Sequence, residues 1–366
     1  MDYSYVDTKD KLTAFCRAIE DADYCAIDTE FVREKTYYPI LALIQIASDA
    51  HMACIDPLVI EDLEPLKSIL QNPGLTKVFH SSSQDLEILF QQFGEVPNSI
   101  FDTQVAAAVL GFAHQISYAD LVCQVTGIQL EKKHTRADWT KRPLSKDELD
   151  YAMDDVRYLM PVYLHLKTEI DRKNRSTWIE SELQALSLDA NYELDTTVLW
   201  KRLKGVQKLK GVHLAIASLL SQWRETVAQR KNRPRRWIVK DEILCDIARM
   251  KPSNLTDLAE LRDVNEKFIE QYGAAVLTIV ADAQRSDPLS WPKHSAEKTL
   301  TSAEQALGDC LMAVCRMAAD DNQIALATLA TRKDIDNLIV NRKNSRLSQG
   351  WRFSMAGEQL LDFIHG

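Results

Sequence analysis

Apolar positions in the first third of the chain fall into short runs divided by turn-forming residues. Tyr24–Phe31, Leu41–Ala47, His51–Ile55, Thr76–His80 and Ile100–Asp102 read as strands, being brief and closely bounded. Leu63–Gln71 keeps helical spacing and stops at Asn72-Pro73-Gly74. A second helix is predicted from Ser83 to Phe93, and an alanine-rich one follows Asp102. Strands and helices in this order predict an α/β layer fold with helices on both faces of a sheet.

From Ser145 onward the pattern turns helical. Ser145-Lys-Asp-Glu148 is a capping box, and Leu149, Ala152, Met153, Val156, Leu159 and Met160 follow at helical spacing. Past Tyr192 no strand-like run of any length occurs. Asp287-Pro288 and Trp291-Pro292 mark a linker, since a residue before proline is pushed away from helical geometry. The expected division is an α/β domain over 1–171, a helical linker over 172–206, and two small all-helical bundles over 207–287 and 288–366. No short-period repeat is visible, although the bundles are of similar size.

Composition narrows the class. A chain of 366 residues with 46% hydrophobic and 27% charged residues is globular, neither fibrous nor largely disordered. The longest apolar runs, Val105–Leu110 and Leu214–Leu220, fall far short of the roughly 18 residues of a membrane span. Asp2, Asp7 and Asp10 near the start do not make a secretory signal. Seven scattered cysteines without a C-x-x-C predict reduced thiols and a cytoplasmic protein, with no zinc site. With 11 glycines and no glycine-rich phosphate loop, no nucleotide cofactor is expected.

The net charge of -9 is unevenly spread: Lys201–Lys251 holds 14 Lys and Arg against 4 acids, a local +10, which leaves -19 for the remainder. An acidic body with one basic block can hold cations in one part and phosphates in another; a solvated helical face is the plainer account.

The acids themselves are spaced suggestively. Asp28 and Glu30 are two apart on a strand and so share a face. Two like charges there are costly unless a cation neutralises them, or unless that face is simply solvated. Asp85 falls in the first turn of a helix, where the helix dipole alone accounts for an acid. Tyr151 and Asp155 are four apart and share a helix face, where a phenol beside a carboxylate can hold and polarise a water. Taken together, Asp-x-Glu, Asp and Tyr-x-x-x-Asp are specific.

The series Ile27-Asp28-Thr29-Glu30-Phe31, His80-Ser-Ser-Ser-Gln-Asp85-Leu86 and Tyr151-Ala-Met-Asp-Asp155 resembles the three exonuclease motifs of the DEDD superfamily, with the tyrosine of its DEDDy branch. Phe101-Asp102-Thr103 and Ala137–Leu144 resemble the ribonuclease D family in particular. Gln222–Glu225, Asn232–Trp237 and Lys240–Leu244 resemble the helical HRDC domain, and Gln349-Gly350-Trp351-Arg352 a second, more divergent copy. The resemblance implies a ribonuclease H-like mixed sheet flanked by helices, followed by two all-α HRDC bundles.

It also implies roles. Asp28 would bridge two divalent ions, Mg²⁺ or Mn²⁺; Glu30 and Asp155 would complete the site of the attacking water. Asp85 would support the second ion and Tyr151 would orient the nucleophile. The implied reaction is stepwise release of 5′-mononucleotides from an RNA 3′ end, on tRNA precursors and other small structured RNAs. A proofreading-type DNA exonuclease and a non-catalytic nucleic-acid-binding protein are the alternatives. Arg233, Arg235, Arg236 and Trp237 combine charge with an aromatic surface for RNA, unless Trp237 is a core residue. Phe31 either wedges against a terminal base or packs; Tyr37 and Tyr38 either face RNA or pack; His80 is expected to be structural. No membrane contact is expected, and in the absence of a heptad seam the expected state is a monomer.

Overall fold

The computed structural model of the chain describes residues 2–130, 137–294, 300–341 and 345–365. Among these, six strands form one mixed sheet in the order β1-β4-β3-β2-β5-β6. They are β1 (Ser4–Val6), β2 (Tyr24–Val32), β3 (Ile40–Ala47), β4 (Met52–Ile55), β5 (Thr76–Phe79) and β6 (Ile100–Asp102). β1 runs parallel to β4, β4 antiparallel to β3, and β2, β5 and β6 run parallel. The apolar pattern did not announce β1, because three residues are too few to show a period; pairing with Ala53–Ile55 defines it.

Side chains alternate across a strand, so the sheet feeds two cores. On one face Cys25, Ile27 and Ile44 pack with Leu12, Leu66, Leu86 and Leu89 from helices Lys9–Ile19, Glu64–Gln71 and Ser83–Phe93. On the other, Ala26, Ala42 and Leu43 pack with Ala106, Leu121, Ala152 and Val162 from helices Thr103–Leu110, Tyr118–Thr126, Lys146–Arg157 and Leu159–Arg172. The helical spacing that runs unbroken through Met160 in the sequence is divided at Tyr158. Pro161, at the start of the second helix, has no N–H to extend the ladder of the first.

Packing divides the chain into two compact units. The first combines Met1–Val32, Leu41–Tyr192 and Lys298–Gly366; the second combines Arg33–Ile40 with Glu193–Glu297. In the second, helices Val212–Lys231, Asp241–Met250 and Glu266–Arg285 enclose a core of Trp200, Leu220, Leu244, Val276 and their neighbours. In the first, the C-terminal helices are tied to the α/β layers. Trp351 stacks on Trp178 with ring centroids 4.8 Å apart, Arg352 pairs with Glu182, and Arg175 donates to the carbonyls of Val109 and Asn322 at 2.6 Å each. No described helix is long and apolar enough to cross a membrane.

Candidate active site

Alternation along β2 puts Asp28 and Glu30 on the face covered by helix Lys146–Arg157, and Thr29 on the opposite face. The start of that helix is fixed by the capping box: Glu148 N–H donates to the Ser145 hydroxyl at 3.2 Å, and Ser145 N–H to the Glu148 carboxylate at 2.7 Å. With Ala152, Met153 and Val156 turned into the core, Asp155 meets the strand acids. One oxygen from each of Asp28, Glu30 and Asp155 lies within 4.8 Å of the others.

Asp85 is buried beside this group without being one of its three ligand-capable oxygens. Its Oδ1 accepts a hydrogen bond from the Thr29 hydroxyl at 2.5 Å. The turn leading into its helix is held by Asp102, which accepts from the Ser81 and Ser82 backbone N–H groups at 3.2 and 2.8 Å. The same carboxylate caps helix Thr103–Leu110 through the N–H groups of Gln104 and Val105. A single acid thus fixes the turn before Asp85 and the helix beside it.

The electrostatics are those of crowded anions. Burial, and then Asp85, Asp155 and Glu30, hold the Asp28 carboxyl well above the usual range. Burial, and then Asp155 and Asp85, push Glu30 up to about 8. Asp155 rises to about 7 through burial, Asp154 and Asp85; Asp85 rises to about 7 through burial, against the pull of the Thr29 hydrogen bond. Among the described residues no lysine or arginine pairs with any of the four. Crowded, partly buried carboxylates without a basic partner among the described residues form a donor set for a hard divalent cation.

Tyr151 shares the Asp155 face of the helix, and burial followed by Asp155, Glu30 and Asp28 raises its phenol to about 12. Its ring stacks on the buried Trp139 at 6.3 Å and 24°. The segment bearing Trp139 is anchored by Arg142, which donates to the Trp139 carbonyl at 2.7 Å, to the Ala42 carbonyl at 2.6 Å and twice to Asp56 at 2.5 and 2.7 Å. Sequence reasoning passed over the roles of Thr29, Asp102, Trp139 and Arg142. Only Asp102 carried a local signal, an Asp-Thr pair at a strand-to-helix junction, which is an N-cap pattern.

The remaining sequence candidates divide clearly. His80 spends both ring nitrogens within the fold, on the Thr103 hydroxyl at 2.9 Å and the Ile116 carbonyl at 3.2 Å. Phe31 packs, partly buried, against the core under helix Ser83–Phe93. Tyr37 packs, its hydroxyl donating to Glu225, whereas Tyr38 is exposed. Arg235 is bound to Glu225, and Arg236 reaches Asp241 and Glu242 at 3.3 and 3.4 Å. Trp237 is 58% exposed and outside the helical core, which overturns its reading as a core residue, and Arg233 lies over its ring at 5.8 Å. All seven cysteines are free thiols.

Known families agree with this geometry. Residues 3–171 match the family model described as a 3′–5′ exonuclease, and residues 213–280 match the HRDC domain. Fold and acidic centre together define the class, a 3′–5′ exonuclease joined to an HRDC domain. The chain is 36% identical over 370 residues to a ribonuclease D of Jannaschia sp. (strain CCS1), covering 99% of this chain and 95% of the relative. It is 35% identical over 353 residues to a ribonuclease D of Bartonella henselae, covering 95% and 86%. The crystal structure of Escherichia coli RNase D, described as an exoribonuclease involved in structured RNA processing, superposes with a TM-score of 0.88 at 30% identity, covering 100% of this chain and 99% of that one. The chain belongs to the ribonuclease D family.

Proposed function

We propose that this chain shortens RNA from the 3′ end one nucleotide at a time, releasing 5′-mononucleotides, and that Asp28, Glu30, Asp85, Tyr151 and Asp155 carry the reaction. The observation that carries the reading is the convergence of three partly buried carboxylates within 4.8 Å, with no basic partner among the described residues. The donor set fits two divalent ions, Mg²⁺ or Mn²⁺, held by Asp28, Glu30 and Asp155, with Asp85 supporting the second. When bound, such ions supply Lewis-acid stabilisation of the attacking and leaving oxygens of an in-line displacement. The Tyr151 phenol, raised to about 12, stays protonated near neutrality and orients the attacking water by hydrogen bonding. Trp139 holds that ring in place, and Thr29 holds Asp85.

The substrates we infer are tRNA precursors and other small structured RNAs, processed by a monomer in the cytoplasm. The full-length likeness to a solved exoribonuclease of structured RNA supports the substrate class. The domains we infer are an exonuclease over 1–171, a linker over 172–206, an HRDC domain over 207–287 and a divergent second copy over 288–366. Helix lengths support the last. Val212–Lys231, Arg235–Ile238 and Asp241–Met250 are 20, 4 and 10 residues long, and Ser302–Asp321, Leu326–Leu329 and Arg332–Asn341 repeat those lengths in the same order.

The test is a time course on 3′-extended tRNA with Mg²⁺, with Mn²⁺ or with chelator. The expected product is a ladder descending in single-nucleotide steps that disappears in chelator and in Asp28→Asn. Full activity in purified Asp28→Asn, or cleavage into internal fragments, would end the proposal. Tyr151→Phe is expected to slow turnover more than it weakens RNA binding; unchanged turnover would deny the phenol a chemical role.

A further inference from the structure

Asp155 occupies the last turn of helix Lys146–Arg157. Carbonyls of a last turn have no further N–H within the helix to accept, so this is where a helix holds itself least well. The chain beyond adds little. The Tyr158 N–H reaches the Asp154 carbonyl only at 3.5 Å, and Pro161 has no N–H to offer. Ala152, Met153 and Val156 press the helix onto the sheet, but apolar contact is non-directional and does not fix the height of a single turn. The acid that meets Asp28 and Glu30 therefore stands where helical bonding is thinnest.

A hydroxyl from another element completes that turn. Tyr118 donates to the Asp154 carbonyl at 2.8 Å, across 36 positions of sequence. Tyr118 is itself firmly placed. It opens helix Tyr118–Thr126, whose N-cap Ser117 accepts the Asp120 N–H at 3.2 Å, and Leu121 and Val122 bury the next turn. Burial, followed by Asp155 and Asp28, holds the Tyr118 phenol well above its ordinary range, so it remains a donor near neutrality.

The ring of Tyr118 leads on to the element that bears Asp85. It lies against the His80 ring, with centroids 5.5 Å apart and planes at 60°. His80 starts the turn that runs to Asp85, and its Nε2 meets the Ile116 carbonyl, two residues before Tyr118, at 3.2 Å. Gln104 Nε2 donates to the same carbonyl at 3.0 Å from the helix that Asp102 caps. One side chain thus joins the element carrying Asp85 to the element carrying Asp155.

We propose that Tyr118 is a positioning residue of the acidic centre, a strut that sets the spacing of Asp155 and Asp85 and with it the affinity of the carboxylates for divalent ions. The inference rests on the exoribonuclease reading and deepens it. Two ions about 3.5–4 Å apart need carboxylates at a fixed separation, and a last turn free to shift would blur that separation. Tyr118 acts through the helix backbone, so its influence is on metal binding and turnover, with RNA binding left aside.

The test compares Tyr118→Phe, which keeps the ring and removes the donor, with Tyr118→Leu, which removes both. Calorimetric titration of the RNA-free, full-length protein with Mn²⁺ reads the centre directly. Tyr118→Phe is expected to weaken Mn²⁺ binding about fivefold, the worth of one hydrogen bond, and Tyr118→Leu at least as much. At saturating Mn²⁺, kcat on 3′-extended tRNA should fall roughly tenfold in Tyr118→Phe while KM stays within about twofold, since a small misplacement acts on the reacting geometry. Wild-type Mn²⁺ affinity in Tyr118→Phe overturns the strut. A raised KM with Mn²⁺ binding unchanged makes Tyr118 a substrate contact and overturns it too. So does a melting temperature in chelator lowered by more than about 5 °C with Mn²⁺ binding unchanged, which makes the bond one of the fold alone. A wild type that neither takes up Mn²⁺ nor shortens RNA removes the exoribonuclease reading and this inference together.

Discussion

Two kinds of buried or partly buried acid occur in the first unit, and they differ in the company they keep. Asp56 is 1% exposed and meets Arg142 twice and the Tyr5 hydroxyl once. Glu182 meets Arg352, Arg346 and the Trp351 indole. At the centre on β2, by contrast, Asp28, Glu30, Asp85 and Asp155 face one another. Burial acts alike in both places; its outcome is opposite. Hydrogen bonds from Arg142 and Tyr5 overcome burial and hold the Asp56 carboxyl below its ordinary range, and Arg352 does the same for Glu182. An acid with a guanidinium partner is finished within the fold. An acid surrounded by acids is finished only when a cation arrives.

Neutralising one acid of the centre should therefore produce the largest effect and the most telling sign. Asp28→Asn is expected to lower the rate by at least about 10³-fold. It should also stabilise the metal-free protein by about 1–2 kcal/mol, since it removes a crowded charge. Loss of activity accompanied by a lower melting temperature in chelator would break the contrast.

Removing a guanidinium should act the other way. Arg352→Ala and Arg142→Ala each leave a carboxylate short of its cation and should cost about 3 kcal/mol in chemical denaturation. Arg142→Ala should further reduce turnover, because the Trp139 segment loses its anchor while the carboxylates stay in place. A change in stability below about 0.5 kcal/mol for both variants would erase the distinction.

The pH response separates the two kinds again. Carboxyls raised in the folded state bind more protons there than in the unfolded chain. In chelator the centre should thus lose stability as pH rises from about 4 to about 8, and added Mg²⁺ or Mn²⁺ should restore more at about pH 8 than at about pH 6. Asp56 and Glu182, being lowered, contribute stability above the unfolded carboxylate range that is lost as pH falls through their folded values. Melting curves that rise with pH in chelator across this window would contradict the assignment of the centre. The smallest effect is expected for Tyr5→Phe, which removes one hydrogen bond to a still-paired Asp56 and should cost about 1 kcal/mol.

Much of this was legible in the sequence because the informative spacings are local. Two residues on a strand put Asp28 and Glu30 on one face, and four on a helix do the same for Tyr151 and Asp155. The sheet was readable from its apolar runs, β1 excepted. What escaped depends on contacts made across the chain: Thr29 holding Asp85 over 56 positions, or Trp139 stacking on Tyr151 from a segment without a regular period. Nor does spacing reveal which body a segment joins. Residues 33–40 lie between two strands in sequence yet pack with the second unit, and the C-terminal helices, so like the first bundle in their lengths, pack with the first. The exposure of Trp237 was undecidable from composition, since a tryptophan beside arginines is as apt for a core edge as for a ligand.

The clasp between Arg352 and Glu182 has a consequence for biosynthesis. Translation makes Glu182 long before Arg352, and the stretch between them includes nearly the whole second unit. A nascent nuclease whose sheet has already closed therefore waits, its Glu182 unclasped, until the last helices leave the ribosome. A chain stopped within that interval leaves Glu182 without Arg352, Arg346 and the Trp351 indole.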